Sequence, residues 1–406
     1  MARRLKIAVV GLHFGGEFPA IYRDHPDVGQ VVLCDQDESL LAAYGQRFGY
    51  DNCYADFDAL LASDVDAIHL VTGIPSHQEL TVKALQAGKH CACTVPMATT
   101  LQGLTEIIQA QRSSGKNYMM METSVYTVQC LYVRSMIAQG LIGNIQYMRG
   151  IHFQDMEGWP AYWAGLPPML YATHAVAPLL SLSQAQPEAV CCHGSGTMRA
   201  AIQAQYGNPY PVETATVTFK GKPYVADITR SLFETAHDYV EGFTILSDKG
   251  SFEMNVEQEN PFVSVFADSL ESSGMGSRGR AIRSERVDCP DRPENLPESI
   301  RKYTKQFTVL DPQNPHLSIR QGGGHHGSHP HLVHEFIRSI VEARKPAIDD
   351  VTAAFWTAVG ICAHESAMRG GAKVVIPDFS ALSEAMPEAL SEAVSETSSD
   401  NPAGNP

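Results

Sequence analysis

The first 120 residues alternate short apolar runs with segments that have a helical pattern. The apolar runs are typical of buried strands and read KIAVVG, VVLCD, AIHLVTG and HCACTVP. The segment HQELTVKALQAG between two of them predicts a helix that ends at Gly88. Strands that alternate with helices form βαβ units and a parallel sheet. We therefore predict an N-terminal Rossmann-type parallel sheet domain over residues 1–122, which binds the nucleotide.

The pattern changes from about residue 145 onwards. Strand-like runs now follow one another without regular helices between them, as in NIQYMRGIHFQD, TATVTFKG and PYVADITRSLF. This predicts a largely antiparallel sheet with one covered face. Apolar spacing near 3.6 predicts two closing helices, HPHLVHEFIRSIVEA and VTAAFWTAVGICAHESAMRG. We assign residues 123–379 to a substrate-binding, catalytic α+β domain and residues 380–406 to a disordered acidic tail.

Composition narrows the class of function. The chain has 406 residues, 44% of them hydrophobic, which is enough for two domains with cores. A net charge of −15 argues against nucleic acid or an anionic membrane as a partner, because both require a basic surface. No apolar run reaches the length of a membrane span. The nine cysteines are scattered through apolar runs, which favours a reducing cytoplasm over a disulfide framework.

A glycine turn follows the first strand. The stretch VVGLHFGGEF matches G-x-G-x-x-G at Gly11 and Gly16, while His13 replaces the middle glycine. Gly11 suits the tight turn, and Gly16 allows the helix to pack closely so that its N–H groups face a pyrophosphate. The match is weak by itself, because an unliganded strand–turn–helix has the same residues. Gly11, His13, Phe14 and Gly16 are the candidate cofactor contacts here.

Asp35 ends the second apolar run, 24 residues after Gly11. An acid at this place accepts both ribose hydroxyls of NAD and repels the 2′-phosphate of NADP. The alternative role is the N-cap of the helix that contains ESLLAAY. We favour the cofactor role and NAD over NADP.

The stretch DAIHLVTGIPSHQELTVKALQAGKHCACTVPMATT resembles the strand-4 to strand-5 region of the Gfo/Idh/MocA oxidoreductases. The matching positions are Thr72, His77, Ala87, Gly88, Lys89, His90, Pro96, Met97 and Ala98. MIAQGLIGNIQYMRG and the closing helices are also similar to segments of that family. The resemblance implies an NAD cofactor near Thr72, His77 and Pro96, and a small carbohydrate as substrate. We also expect a homo-oligomer formed through the C-terminal sheet.

Two family signatures are altered. The family's Glu-Lys-Pro loop is Thr94-Val95-Pro96, and in the family that lysine assists removal of the substrate's hydroxyl proton. The family's Asp-x-Gly-x-His helix start runs from Leu170 to His174, so the aspartate is lost and the histidine remains. Valine cannot exchange a proton, so another group must do the acid–base work if chemistry occurs.

His174 is the first candidate for that work, because imidazole titrates near neutral pH. Tyr171 lies one turn earlier on the same helix face and could donate or relay a proton. The ordinary alternatives are a histidine packed against the sheet and a buried aromatic side chain. Further candidate substrate contacts are Glu122, Tyr126, His152 and Trp163.

The stretch QGGGHHGSHPHLVHEF crowds histidines into and beyond a glycine-rich loop. Three roles are open for these histidines. We favour hydrogen bonds to the substrate from His325, His326 or His329, then solvated loop histidines, and last a metal site. We therefore predict no metal.

Three functions remain open at this level. The first is an NAD-dependent oxidoreductase that acts on a hydroxyl of a sugar, polyol or glycoside with His174 as base. The second is a redox-neutral glycoside hydrolase or lyase that works through a transient keto-sugar with tightly bound NAD. The third is a non-catalytic nucleotide- or sugar-binding relative, for which the combined loss of lysine and aspartate is the main argument.

Overall fold

The computed structural model describes residues 3–50, 52–256, 259–267, 280–305, 308–309, 320–321, 324–380 and 382. The predicted disordered tail, residues 380–406, lies almost entirely outside the described residues. Within the described part of the chain, no helix is both long enough and apolar enough to cross a membrane.

The N-terminal domain is built on a parallel sheet. In the described residues this sheet has six strands, β1 Leu5–Val10, β2 Val28–Cys34, β3 Cys53–Tyr54, β4 Ala67–Leu70, β5 His90–Cys93 and β6 Tyr118–Met120. Their spatial order is β3-β2-β1-β4-β5-β6. The helices between them are α1 Pro19–Asp24, α2 Glu38–Phe48, α3 Phe57–Leu61, α4 His77–Gln86 and α5 Leu101–Ser114. The strand order reverses direction between β1 and β4, and ligands bind at such a switch point, beyond the carboxyl ends of the strands.

Local sequence explains these elements. Residues 7–10 of β1 are buried throughout, as expected for a parallel strand with helices on both faces. Helix α5 starts at Thr100, whose hydroxyl accepts a hydrogen bond from the Gly103 amide, and it ends at Gly115 in the left-handed conformation. Burial explains β1, and capping explains both ends of α5.

The C-terminal domain contains a mostly antiparallel sheet. Its order in the described residues is β14-β13-β12-β11-β7-β10-β9-β8-β17, and β7 and β10 run parallel. The strands are β7 Ile145–Phe153, β8 Pro187–Ser195, β9 Val212–Phe219, β10 Val225–Ser231, β11 Val240–Ser247, β12 Gly250–Glu253, β13 Phe262–Phe266, β14 Ile282–Arg286 and β17 Val374–Val375, with β15 Thr308–Val309 and β16 Arg320–Gln321 forming a separate pair. The helices are α6 Val128–Ala138, α7 Thr173–Ser183, α8 Ala200–Gln203, α9 Glu298–Arg301, α10 His329–Val341 and α11 Asp350–Met368. The predicted fold class is confirmed.

One face of this sheet is covered and the other is open. Buried and more exposed residues alternate along β9, which is the period of a half-buried strand. Helix α7 packs on the covered face so closely that a side-chain carbon at Gly150 would lie 2.0 Å from the Ala175 carbonyl oxygen. This contact fixes the start of α7, and with it His174, over β7. The predicted homo-oligomer through the sheet stays a prediction.

Candidate active site

The glycine turn sits at the carboxyl end of β1. Gly11 has a positive φ of 87°, and a side-chain carbon there would lie 2.5 Å from the Val71 carbonyl oxygen. Only glycine fits this close approach to the loop after β4. His13 and Phe14 follow and are exposed, while Gly16 is buried against Tyr44. The turn therefore keeps its backbone and two side chains available for a dinucleotide.

Asp35 stands beside the turn at the end of β2. Its carboxylate accepts hydrogen bonds from the Leu12 amide at 2.7 Å and from the Asp37 amide at 2.9 Å. Asp37, two residues later, is the N-cap of α2 and accepts from the Ser39 and Leu40 amides. The capping role that competed for Asp35 thus belongs to its neighbour, and the position of Asp35 fits a ribose contact.

His77 joins the two loops that follow β4 and β5. Its Nδ1 lies 2.8 Å from the Pro96 carbonyl oxygen and its Nε2 lies 3.0 Å from the Thr72 carbonyl oxygen. Both carbonyls can only accept, so both ring nitrogens donate and the ring is an imidazolium. Burial alone would lower the pKa of His77, but Cys93 and the two carbonyls outweigh it and raise the pKa to about 9. His77 therefore holds Thr72 and Pro96 at the carboxyl edge of the sheet.

His174 is hydrogen-bonded to a buried carboxylate, Glu122, which follows β6 of the N-terminal domain. Its Nδ1 donates to Glu122 Oε1 at 2.6 Å, and its Nε2 lies 3.3 Å from the Tyr171 hydroxyl. Glu122 is fully buried and also accepts from the Ser124 amide. The carboxylate fixes the orientation of the imidazole and directs Nε2 away from itself, as in catalytic carboxylate–histidine pairs.

Electrostatics favour the protonated form of His174. Burial lowers the pKa of this imidazole, but the carboxylates of Glu122 and Glu241 outweigh burial and raise the pKa to about 9. Burial would likewise raise the pKa of Glu122, yet the adjacent imidazolium brings the pKa of that carboxyl below its usual value. At neutral pH the pair is therefore an imidazolium and a carboxylate. The His174 imidazolium acts first as a hydrogen-bond donor, and it becomes a base only after losing its proton.

Replacing Glu122 by glutamine should lower the titration midpoint of His174 from about 9 toward the ordinary 6.5. Because the folded-state pKa is raised, the pair's contribution to stability is complete below pH 6.5 and is lost as pH rises through 9. Nitrogen-15 NMR of labelled histidine gives the midpoint, and wild-type and variant denaturation curves at pH 6 and pH 10 give the stability. An unchanged midpoint in the variant would contradict the pairing.

More acid–base groups surround Nε2 of His174. Glu241 Oε1 lies 4.0 Å away and accepts a hydrogen bond from the Tyr239 hydroxyl. The ring of His152 packs edge-on against that of His174 at a centroid distance of 5.1 Å. Among the described residues, Glu241 Oε2 and both ring nitrogens of His152 are buried and have no hydrogen-bond partner. Buried polar atoms without partners suit a ligand that brings its own hydroxyl groups.

Arg230 supports this cluster from β10 and is fully buried. Its guanidinium donates to the backbone carbonyls of Tyr171 at 2.9 Å and His152 at 3.0 Å. It also donates to the Ser231 carbonyl and to Gln154 Oε1. Burial lowers the pKa of Arg230 to about 10, so the group is still charged at neutral pH. Arg230 thus ties together the backbone segments that carry Tyr171 and His152.

The histidine-rich loop reaches the same cluster from the other side. His325 Nε2 lies 4.0 Å from Glu241 Oε1, and the rings of His325 and His174 are 6.1 Å apart. His329 continues from His325 toward Glu17 of the glycine turn. His326 Nδ1 lies 3.5 Å from Gln129 Nε2. Of the described residues, no group of three or more His, Cys, Asp or Glu is arranged to hold a metal ion.

Two predicted substrate contacts have packing partners. Trp163 is buried and packs edge-on against Tyr171 at a centroid distance of 4.8 Å. Tyr126 stacks on His331 at 6.1 Å and lies beside Arg134. Trp163 therefore borders the His174 cluster through Tyr171. Tyr126 contacts His331 and Arg134, which are not part of that cluster.

The N-terminal part of the chain matches a known protein family. Residues 5–122 match the family model GFO_IDH_MocA, described as an oxidoreductase family with an NAD-binding Rossmann fold. Over these residues the chain matches the NAD-binding domain of the Gfo/Idh/MocA oxidoreductases. The predicted enzyme class and NAD cofactor are confirmed at the level of this family, and the net reaction is not specified by it.

Relatives extend the likeness beyond the NAD-binding domain. A glycosyl hydrolase family 109 protein from Porphyromonas gingivalis is 24% identical, with 93% of this chain and 84% of the relative covered. A glycosyl hydrolase family 109 protein from Streptomyces niveus is 25% identical, with 93% of this chain and 77% of the relative covered. The structure of a levoglucosan dehydrogenase in complex with NADH and levoglucosan superposes with a TM-score of 0.72 at 19% identity, covering 92% of this chain and all of that one.

The lysine of the Gfo/Idh/MocA signature is replaced here by Val95, which is 7% exposed and belongs to the hydrophobic core. The Val95–Pro96 peptide bond is cis. Of the groups around His174, sequence reasoning missed Glu241, Tyr239, Arg230 and Glu17. Each of these residues lies in an ordinary strand or turn pattern. Its distance along the chain from His174 or from the histidine-rich loop gives no sign that they meet in the structure.

Proposed function

We propose that the protein transfers a hydride between NAD and a hydroxyl-bearing carbon of a sugar, polyol or glycoside, and that His174 exchanges the hydroxyl proton. The observation that carries this proposal is the Glu122–His174–Tyr171 constellation at the edge of an NAD-binding sheet. The unpaired polar atoms of His152 and Glu241 support a ligand rich in hydroxyl groups. The levoglucosan dehydrogenase and family 109 likenesses agree with a carbohydrate substrate.

The residues fit the cofactor, and their roles follow from position. Gly11 gives the backbone room at the turn, Asp35 accepts ribose hydroxyls, and Thr72 and Pro96 lie in the loops after β4 and β5, at the carboxyl edge of the sheet. When bound, NAD supplies the hydride acceptor. His174 in its neutral form takes the hydroxyl proton at Nε2, and Glu122 stabilises the resulting imidazolium. Tyr171, at 3.3 Å from Nε2, orients the hydroxyl or passes the proton on.

The direct test is a spectroscopic screen. The purified protein is mixed with NAD and a panel of aldoses, polyols, anhydrosugars and aryl glycosides, and absorbance is followed in the reduced-nicotinamide band. Formation of NADH with at least one hydroxyl compound supports the proposal. Absence of NADH together with absence of any converted sugar would contradict it.

A second candidate is redox-neutral cleavage of a glycoside. Such a reaction needs an acid for the leaving group and a base for the neighbouring C–H, besides the group that handles the oxidised hydroxyl. Glu241 with Tyr239, 4.0 Å from His174, gives the cluster this second acid–base pair. The family 109 relatives, matched over 93% of this chain, favour the same reading. Sugar release from an aryl glycoside without net NADH would support it, and net NADH would favour simple oxidation.

Asp35→Asn should weaken NAD binding by about tenfold, which is the effect expected of one charge-assisted hydrogen bond worth about 1.4 kcal/mol. NADP binding should weaken less, because removing the carboxylate also removes its repulsion of the 2′-phosphate. Asparagine retains one oxygen acceptor for the Leu12 amide and loses the bond from the Asp37 amide, so the turn should persist through the Leu12 bond. Fluorescence titration with NADH and NADPH measures both affinities, and Asp37→Asn is the matched control. Equal affinity of the wild type for both cofactors would contradict the selective role.

Val95→Lys should not raise turnover. The valine side chain is in the core, and a buried ammonium without a carboxylate partner costs several kcal/mol. Val95→Met, a neutral change of similar reach, separates the effect of size from that of charge. Steady-state rates and melting temperatures of both variants show whether a loss comes from the size or from the charge of the new side chain. A large gain in turnover for Val95→Lys alone would show that the acid–base role never moved to His174.

A further inference from the structure

A line of hydrogen-bonding groups runs from the neighbourhood of His174 to the protein surface. His325 Nε2 lies 4.0 Å from Glu241 Oε1, which itself lies 4.0 Å from His174 Nε2. His325 Nδ1 is 3.2 Å from His329 Nε2, and His329 Nδ1 is 3.1 Å from Glu17 Oε2. The side chain of Glu17 is 38% exposed, whereas that of His329 is 2% exposed. The line thus starts in the buried cluster and ends at a carboxylate in contact with water.

For a neutral His329, one set of tautomers satisfies both ring contacts. Glu17 is an acceptor, so His329 Nδ1 carries a proton and donates it. His329 Nε2 then accepts from His325 Nδ1–H, which leaves His325 Nε2 as a lone pair that faces Glu241 and His174. An imidazole that accepts at one nitrogen and donates from the other can pass a proton without leaving its place. Both rings are oriented for this.

The backbone holds His325 in an uncommon conformation. His325 and His326 both have positive φ, 44° and 51°, which non-glycine residues seldom adopt. Strained backbone of this kind persists where the surroundings hold a side chain in place, and it clusters at functional sites. Here it places the His325 ring between Glu241 and His329.

Aromatic rings flank the line, and the His325 side chain is 25% exposed. Phe14 and Phe18 pack edge-on or tilted against the histidines at ring-centroid distances of 4.7–5.7 Å. Burial lowers the pKa of His325 to about 4, despite the opposing effect of Glu241. The other titratable group facing His329 is His69, whose pKa burial lowers to about 3. The rings of His325 and His69 are therefore neutral near pH 7, and Glu17 is the nearby carboxylate.

We propose that His325, His329 and Glu17 conduct the proton released by substrate oxidation from the His174 cluster to solvent. This inference rests on the proposed function, because oxidation of an alcohol by NAD yields a carbonyl, NADH and one proton. The hydroxyl proton passes from His174 to His325 Nε2 through a water or substrate hydroxyl that spans the gap beside Glu241. His325 Nδ1–H passes to His329 Nε2, His329 Nδ1–H passes to Glu17, and Glu17 releases a proton to water.

The test uses the full chain with NAD and the panel compound that forms NADH fastest. His329→Gln and Glu17→Gln should each slow steady-state NADH formation by roughly tenfold or more in dilute buffer, and added imidazole should restore most of the rate. The loss should be smaller than the 10²–10⁴-fold expected for an acid–base group itself. A changed solvent deuterium isotope effect on turnover should accompany the loss. His331→Gln is the control, since His331 lies on the same helix, is buried and stacks on Tyr126 instead.

A second measurement needs neither nucleotide nor substrate. In nitrogen-15 NMR spectra of the protein alone, Glu17→Gln should shift the ring signals of His329 and His325 and leave those of His331 in place. Unshifted His329 signals would overturn the hydrogen-bonded line. Normal rates in both variants, or losses that neither imidazole nor buffer restores, would overturn the relay while NADH formation stands. Failure of every panel compound to form NADH would instead remove the proposed function and the relay with it.

Discussion

His174→Gln should lower turnover by about 10²–10⁴-fold, the usual contribution of a general acid–base group. Glutamine keeps a polar side chain of similar length, but it cannot exchange a proton near neutral pH. NAD binding should change little, because the predicted nucleotide contacts lie on the N-terminal domain. In the wild type, oxidation should accelerate as pH rises toward 9, where the neutral base forms, and this dependence should disappear in the variant. Rates of NADH formation between pH 6 and 10 measure both effects.

Tyr171→Phe is the companion variant for this experiment. It removes the hydroxyl at 3.3 Å from His174 while keeping the ring that packs on Trp163, so a smaller loss of turnover is expected. Near-wild-type turnover of His174→Gln across the pH range would place the base elsewhere, with His325 as the next group to examine. If His174→Gln fails to fold, as shown by circular dichroism, the histidine has a structural role instead.

Arg230→Met should be the most destabilising single change near the site, at about 3 kcal/mol or more, because several backbone carbonyls lose a charged donor in a buried place. For a domain of this size such a loss corresponds to roughly 6–12 °C in melting temperature. Turnover should also fall, since the guanidinium holds the Tyr171 and His152 backbone together. Thermal denaturation and sugar-dependent NADH formation measure the two losses.

Arg149→Met is the matched control for this change. Arg149 lies on the neighbouring strand β7 with an exposed side chain, so its replacement should alter the melting temperature by no more than about 2 °C. Equal stability of the two variants would contradict the supporting role of Arg230.

Local sequence determined much of this protein. The alternation of apolar runs and helical segments predicts the parallel sheet, because strand and helix periods are properties of the chain itself. Gly11 and Asp35 could be selected because they follow directly after strands β1 and β2, and the carboxyl ends of parallel strands share one edge. Tyr171 and His174 were paired on one predicted helix face, and they do meet, but Tyr171 ends the 3-10 turn Pro168–Tyr171 and only His174 lies in α7.

The electrostatic surroundings of His174 were decided by the tertiary structure alone. Glu122 precedes His174 by 52 residues and follows the N-terminal sheet, whereas Glu241 lies on β11 of the C-terminal sheet. Glu17 and His329 are more than 300 residues apart and meet across the two domains. No local period connects such residues, because chain folding rather than spacing sets their distance. The sequence therefore identified the histidine as an acid–base candidate, while the carboxylates of Glu122 and Glu241 outweigh its burial and favour the imidazolium at neutral pH.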